Sequence, residues 1–155
     1  MINSIEQAGG TIVKLKIIEA NGIQNPTVFN HPVLNENDLM DYSDITIKDG
    51  YDFTDFDIKN CEFSEIEKNN EIGTLHETVI DFDILKIRPS VSEELNNFIN
   101  RKVYIIFTDN DGNIYITPKL KLSKKKSIKK TVRSGSYYSF TASGENVNTI
   151  IGLHY

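Results

Sequence analysis

"KVYIIFTDNDGNIYI", Lys102 to Ile116, is the stretch whose reading decides the fold. Val103, Ile105 and Phe107 alternate with Tyr104 and Ile106, so both faces are apolar and the run predicts a central strand buried on both sides. Five polar side chains and a glycine, Thr108 to Asn113, then separate it from Ile114, Tyr115 and Ile116. Read as a calcium loop of the EF-hand type, the segment fails on spacing. Counted from Asp109, Gly112 falls at the fourth place instead of the sixth, and no glutamate follows at the twelfth. The flanks read as strands instead of helices. Asp-Gly between two apolar runs is a short-hairpin signal, because both residues tolerate positive φ. We expect a tight turn with Gly112 at positive φ and no metal held by Asp109 and Asp111.

Period-two alternation recurs outward from this hairpin. In "TIVKLKIIE" Val13, Leu15 and Ile17 oppose Lys14 and Lys16. In "TVIDFDILK" Ile80, Phe82 and Ile84 face inward, with Asp81 and Asp83 outward. "SYYSFTA" aligns Tyr138, Phe140 and Ala142. Around "GYDFTDFDI" the phase slips between Phe53 and Phe56, predicting a bulge or bend. One helix is expected, from about Val91 to Asn100, with Ser90 as its cap and Glu93 completing a capping box. Val91, Leu95, Phe98 and Ile99 supply its apolar stripe. The segment 22–44, with Pro26, Pro32 and many Asn and Asp residues, reads as a long loop of the kind that is often functional or an interaction arm. The expected fold is mainly β (α+β): an antiparallel β-sandwich or barrel with one short flanking helix, in a single domain over residues 1–155.

Composition narrows the function classes. The chain has 155 residues, 39% apolar and 25% charged, enough for one domain with a real core and unlike a disordered tail. No apolar run approaches the roughly 20 residues that span a bilayer, so no membrane partner is expected. "MINSIEQAGG" lacks the basic start and apolar stretch of a secretory signal. The single cysteine, Cys61, allows no internal disulfide and no multi-thiolate zinc site. These features predict a protein made in a reducing cytoplasm.

Charge is distributed very unevenly. "KLKLSKKKSIKKTVR", Lys119 to Arg133, holds eight of the 17 basic residues and no acid, leaving nine against all 22 acids elsewhere, a balance of -13. Three readings fit this segment. Lys124, Lys125, Lys126, Lys129, Lys130 and Arg133 could meet the acidic body of the next subunit in a head-to-tail contact. They could neutralise nucleic-acid phosphates, with Tyr137 and Tyr138 stacking on bases. They could also be a solvated edge, since lysines on edge strands oppose aggregation.

Catalytic patterns are missing. There is no nucleophile elbow, phosphate-binding glycine loop or HExxH, and His31, His76 and His154 are scattered. Glu77, Asp81 and Asp83 share a strand face that the pattern assigns to solvent, as do the acids of "DFTDFDIKNCE". Cys61 has only Lys59 as a basic neighbour and reads as an inert thiol. No catalytic residue, metal site or cofactor is expected, and the protein is expected not to be an enzyme.

From "EIGTLHETVIDFDILKIRPSVSEELNNFINRKVYIIFTDNDGNIYI" to "SYYSFTASGEN", the order of parts resembles small structural proteins of the neck and tail of tailed bacteriophages, particularly crAss-like and related phages of gut bacteria. The parts are a strand ending in "KIRPSVSEEL", a short helix, the strand "KVYIIFTDNDGN" and a late strand closing in "FTASGEN". They span Glu71 to Asn146. The lysine run and the N-terminal part lie outside the likeness. What the resemblance implies is a small β-sandwich or barrel with a flanking helix, built into a homo-oligomeric ring in a virion neck or tail. It also implies neighbouring neck, portal or tail proteins and non-specific contact with DNA in the channel. The alternative carried by the basic segment alone is a monomeric nucleic-acid-binding β domain.

Overall fold

The structure, a computed structural model, describes residues 12–56, 58–71, 73–85, 97–131 and 135–155. It is mainly β. The strands run in chain order as β1 (Ile12–Glu19), β2 (Met40–Asp41), β3 (Thr54–Phe56), β4 (Ile58–Asn70) and β5 (Gly73–Leu85). They continue as β6 (Lys102–Asp109), β7 (Ile114–Ile116), β8 (Leu120–Thr131), β9 (Gly135–Asn146) and β10 (Ile151–His154).

β6 is the junction. One edge pairs with β1 along its length. The other edge is shared, by β7 opposite 106–108 and by β8 opposite 102–103. Thr117 bridges the two partners: its amide donates to the Ile105 carbonyl at 2.9 Å and its hydroxyl accepts from the Ile105 amide at 3.1 Å. Beyond this point the sheet branches. β7 leads to β10, which takes up β2 in the one parallel pairing among the described strands, so the sheet is mixed where antiparallel was expected. β8 leads through β9 and β5 to β4. β3, which precedes β4 in the chain, pairs with β1, and β1 lies close to β4, so the path β1–β6–β8–β9–β5–β4 curls back towards its start, with no strand pairing between β4 and β1 among the described residues.

The apolar faces explain why the strands curl together. Leu15 and Ile17, Ile80, Phe82 and Ile84, Val103, Ile105 and Phe107, Leu122, and Phe140 and Ala142 form one buried core. Phe63 of β4 reaches across to Phe107 of β6 with ring centroids 5.3 Å apart, and Phe82 stacks on Phe140 at 5.6 Å. In β1 the simple alternation is interrupted. Ile12 and Lys14 oppose Asp109 and Thr108, a bulge at residue 13 that brings Ile12 into the same core as Leu15 and Ile17.

The opposite face of β6, Tyr104 and Ile106, builds a second core with Ile18, Ile116 and Leu153. Its cover is the segment expected to be a loop or arm. Ile23, Phe29 and Met40 are buried there, with Ile45 just after it, each burial contributing roughly 1.5–3 kcal/mol. Two 3-10 turns (Ala20–Gly22 and Pro26–Phe29) and a third at Tyr42–Asp44 carry the backbone round. Asn25 fastens it, accepting from the Thr46 amide at 2.9 Å and donating to the Asp44 carbonyl at 2.8 Å. A central strand apolar on both sides needs a second cover, and 22–44 provides it. The phase slip before β3 has the same origin, because Phe53 packs on the second core and Phe56 lies in the first.

The first six residues of the expected helix, 91–96, lie outside the described residues. Its last part, 97–100, is a turn: the Arg101 amide donates to the Phe98 carbonyl at 3.1 Å, and Asn100 stands at φ 64°. Among the described residues no helix is long and apolar enough to cross a membrane.

Candidate functional site

The hairpin at 109–113 is settled by its hydrogen bonds. Asp109 and Asn113 close it with an amide-to-carbonyl bond of 3.0 Å, and Gly112 sits at φ 87°. The Asp109 carboxylate accepts from the backbone amides of Asp111 at 3.0 Å and Asn113 at 2.9 Å. These acids organise a turn, and the carboxylate of Asp109, in a residue only 4% exposed, is committed to backbone donors. Asp109→Ala is expected to cost about 1–3 kcal/mol by leaving those amides without an acceptor. Urea titration checks it, and an unchanged midpoint would contradict it.

The basic run forms β8. Lys121, Leu122 and Ser123 continue its pairing with β9, with Leu120 and Leu122 in the core and Lys121 exposed. Between Lys124, opposite Phe140, and Ile128, opposite Tyr138, four steps on β8 face two on β9. The bulge therefore falls on Lys125, Lys126 and Ser127. From Ser123 onward β8 pairs with β9 alone among the described residues, so Lys124, Lys125, Lys126, Lys129 and Lys130 lie along an open edge. A bulge and lysines on an edge strand both hinder indiscriminate strand pairing. Arg133 lies outside the described residues.

The acids sit on the neighbouring hairpin, β4–β5. Its last pair is Asn70 with Gly73, whereas the last pair of β8–β9 is Thr131 with Gly135, and the registers place these two hairpin ends at opposite ends of the shared sheet. Leu85 faces Tyr137 at one end, and His76 faces Asn146 at the other. Residues 62–77 hold five acids and one lysine, and residues 124–131 hold five lysines and no acid. The single lysine, Lys68, is paired with Glu77 and, at 3.1 Å, with Glu145; these hydrogen bonds raise its pKa.

Asp81 and Asp83 accept from Thr141 Oγ1 and Ser139 Oγ, each at 2.6 Å, across the β5–β9 pairing. Their outer-face placement agrees with the alternation. Among the described residues no group of three or more His, Cys, Asp or Glu side chains is arranged to hold a metal ion. The histidines stay apart: His31 is exposed, His76 lies on β5, and His154 Nδ1 is 3.5 Å from Asp41 Oδ1.

Cys61 packs against the first core, and burial first, then Asp81, Asp83 and Glu62, pushes its thiol up to about 12. The folded state thus retains a proton that the unfolded chain releases near pH 9. From this group, stability is expected to fall as pH rises from about 9 towards 12. Alkylation by iodoacetamide near pH 8 should be far slower in the native than in the urea-unfolded protein. Equal rates would contradict the burial.

The alternation gave no hint of Arg101 and Lys102. They stand just before and at the start of β6 and become part of a basic rim only because β8 returns beside them, with Lys102 directly opposite Lys121. No family model, curated protein or solved structure matches the chain.

Proposed function

We propose that the protein is a structural assembly subunit, joined head-to-tail to copies of itself in a ring of the tailed-phage neck or tail kind. The observation that carries this reading is the polarity of the β8–β9–β5–β4 sheet. One edge ends in a lysine-bearing hairpin, and the opposite edge ends, at the opposite end, in an acid-bearing hairpin. Two different, complementary surfaces on one chain make a heterologous contact, which closes into a ring when its rotation permits. The order of strands between Glu71 and Asn146 adds the resemblance to neck and tail proteins. In such a ring the function is mechanical, without catalysis or cofactor.

Native mass measured across a salt series tests it. At low ionic strength the protein is expected at a multiple of its 17.6 kDa. At about 1 M salt, where the Debye length falls to about 3 Å, it should approach the monomer. A monomer at every salt would speak against self-assembly. If that monomer binds DNA with affinity falling steeply as salt rises, the nucleic-acid-binding alternative is favoured, because the β8 segment holds several lysines and no acid of its own.

A further inference from the structure

The branch point of the sheet holds a second basic feature. Where β8 departs towards β9 and β7 towards β10, a cavity of about 390 Å³ opens between β6, the cover segment and the chain after β9. Asn30, Lys102, Tyr104, Lys119, Asn146 and Asn148 are among its lining. A neighbouring cavity of about 540 Å³ shares Lys102 and Lys119 and adds Arg101 and Glu19. Arg101 and Glu19 neutralise each other at 3.3 Å. The remaining cations do not have such a partner. Lys102, Lys119 and Lys121 are exposed, and among the described residues none of the three ammonium groups forms an ion pair.

Lys102 and Lys121 are also direct cross-strand neighbours. Side chains so placed share a face with Cα atoms about 4.5–5.5 Å apart, and like charges in that relation destabilise a sheet. A bound anion would relieve the repulsion. The surrounding amides fit the same ligand. Asn146 Nδ2 donates to the Lys119 carbonyl at 3.1 Å, and Asn148 Nδ2 donates to Asn30 Oδ1 at 2.7 Å. Each amide keeps further hydrogen-bonding capacity at the rim of the cavity.

We propose that this branch-point groove is a binding site for a phosphate-bearing anion, held by Lys102 and Lys119 with Lys121 adding charge at its rim. A phosphate carries more than one acceptor oxygen to meet several ammonium groups, whereas a single carboxylate would leave most of the positive charge uncompensated. The same chemistry is offered by a free phosphate or pyrophosphate and by the backbone of a nucleic acid. The site is separate from the open edge of β8 and does not depend on self-assembly.

The test is titration of the full chain at low salt with pyrophosphate and, separately, with a short single-stranded oligonucleotide, followed by calorimetry and amide NMR shifts. The wild type is expected to bind at least one of these probes, with shifts centred on 101–104 and 117–121. Lys102→Gln with Lys119→Gln should weaken binding at least tenfold, and either substitution alone severalfold, while Lys48→Gln, which removes as much charge as either single change but from an exposed site elsewhere, should leave it unchanged. Lys121→Gln should raise the melting temperature of the ligand-free protein, a gain that does not require binding. Pyrophosphate binding would identify a small-anion site, and oligonucleotide binding alone would identify a backbone contact. Absence of binding by both probes would overturn the proposal. So would equal binding by the double variant, an equal loss in Lys48→Gln, or binding of hexaglutamate alone.

Discussion

Phe107→Ala is expected to destabilise the protein by about 3–5 kcal/mol, the usual cost of deleting a fully buried aromatic ring. Phe107 joins β6 to β4 across the first core. It sits on β6 opposite Leu15 of β1, contacts Phe63 of β4 at 5.3 Å and Tyr115 of β7 at the same distance, and is 2% exposed. Removing it leaves a hole bordered by three strands that cannot all move inward together. Against a total stability of roughly 5–15 kcal/mol, that loss is a large fraction. Urea unfolding should show a lower midpoint with an unchanged slope. A destabilisation below about 1 kcal/mol would mean that the first core does not close through this ring.

The second large effect is on assembly. Replacing Lys124, Lys125 and Lys126 by glutamate should abolish self-association and leave the isolated fold intact. The three positions lie where β8 has lost its β6 partner, two of them in the bulge, so the change falls on an edge instead of the core. Across a head-to-tail contact it sets acids against the five acids of residues 62–77 in the next copy. Like charges juxtaposed at an interface cost several kcal/mol, about 1.4 kcal/mol being a tenfold loss of affinity. The melting temperature should move little, and the native mass should fall to 17.6 kDa. A variant that assembles as the wild type does would remove β8 from the contact. Loss of salt-sensitive DNA binding in this variant, with no change in mass, would instead favour the nucleic-acid reading.

The parts that were legible in the sequence are those governed by local rules. Strand alternation placed Ile80, Phe82 and Ile84 in the core and Asp81 and Asp83 on the outer face, because successive side chains in a strand must alternate. The run from Val103 to Phe107 was readable as buried on both faces, and Asp111-Gly112 as a turn, since each signal lies within a few residues. What escaped were features made by distant residues. The cover formed by 22–44 looks like a polar loop, because only Ile23, Phe29 and Met40 of that segment are buried hydrophobics and their spacing follows no regular period. Its role appears once β6 is known to need a second apolar partner. The bulge at residue 13 is likewise a matter of register against β6. For the candidate site, the lysine run itself was plain. Its position on an open edge, opposite in end and charge to the β4–β5 hairpin, depends on which strands lie between them. The pairing of Lys102 with Lys121 requires the branch in the sheet and has no local signature.

The central claim is that one chain carries two complementary ends, and mixing two crippled copies tests it most directly. The first copy bears Lys124→Glu, Lys125→Glu and Lys126→Glu. The second bears Glu62→Lys, Glu67→Lys and Glu71→Lys, all exposed positions of the acidic hairpin. Each alone should be monomeric by native mass spectrometry, since each lacks one end. Mixed in equal amounts at low salt, the first copy's intact acidic hairpin should take the second copy's intact basic edge. The two reversed ends are again of opposite charge, so the mixture is expected to associate with the two copies in alternation and in equal proportion. A mixture that stays monomeric, under conditions in which the wild type associates, would contradict the head-to-tail account.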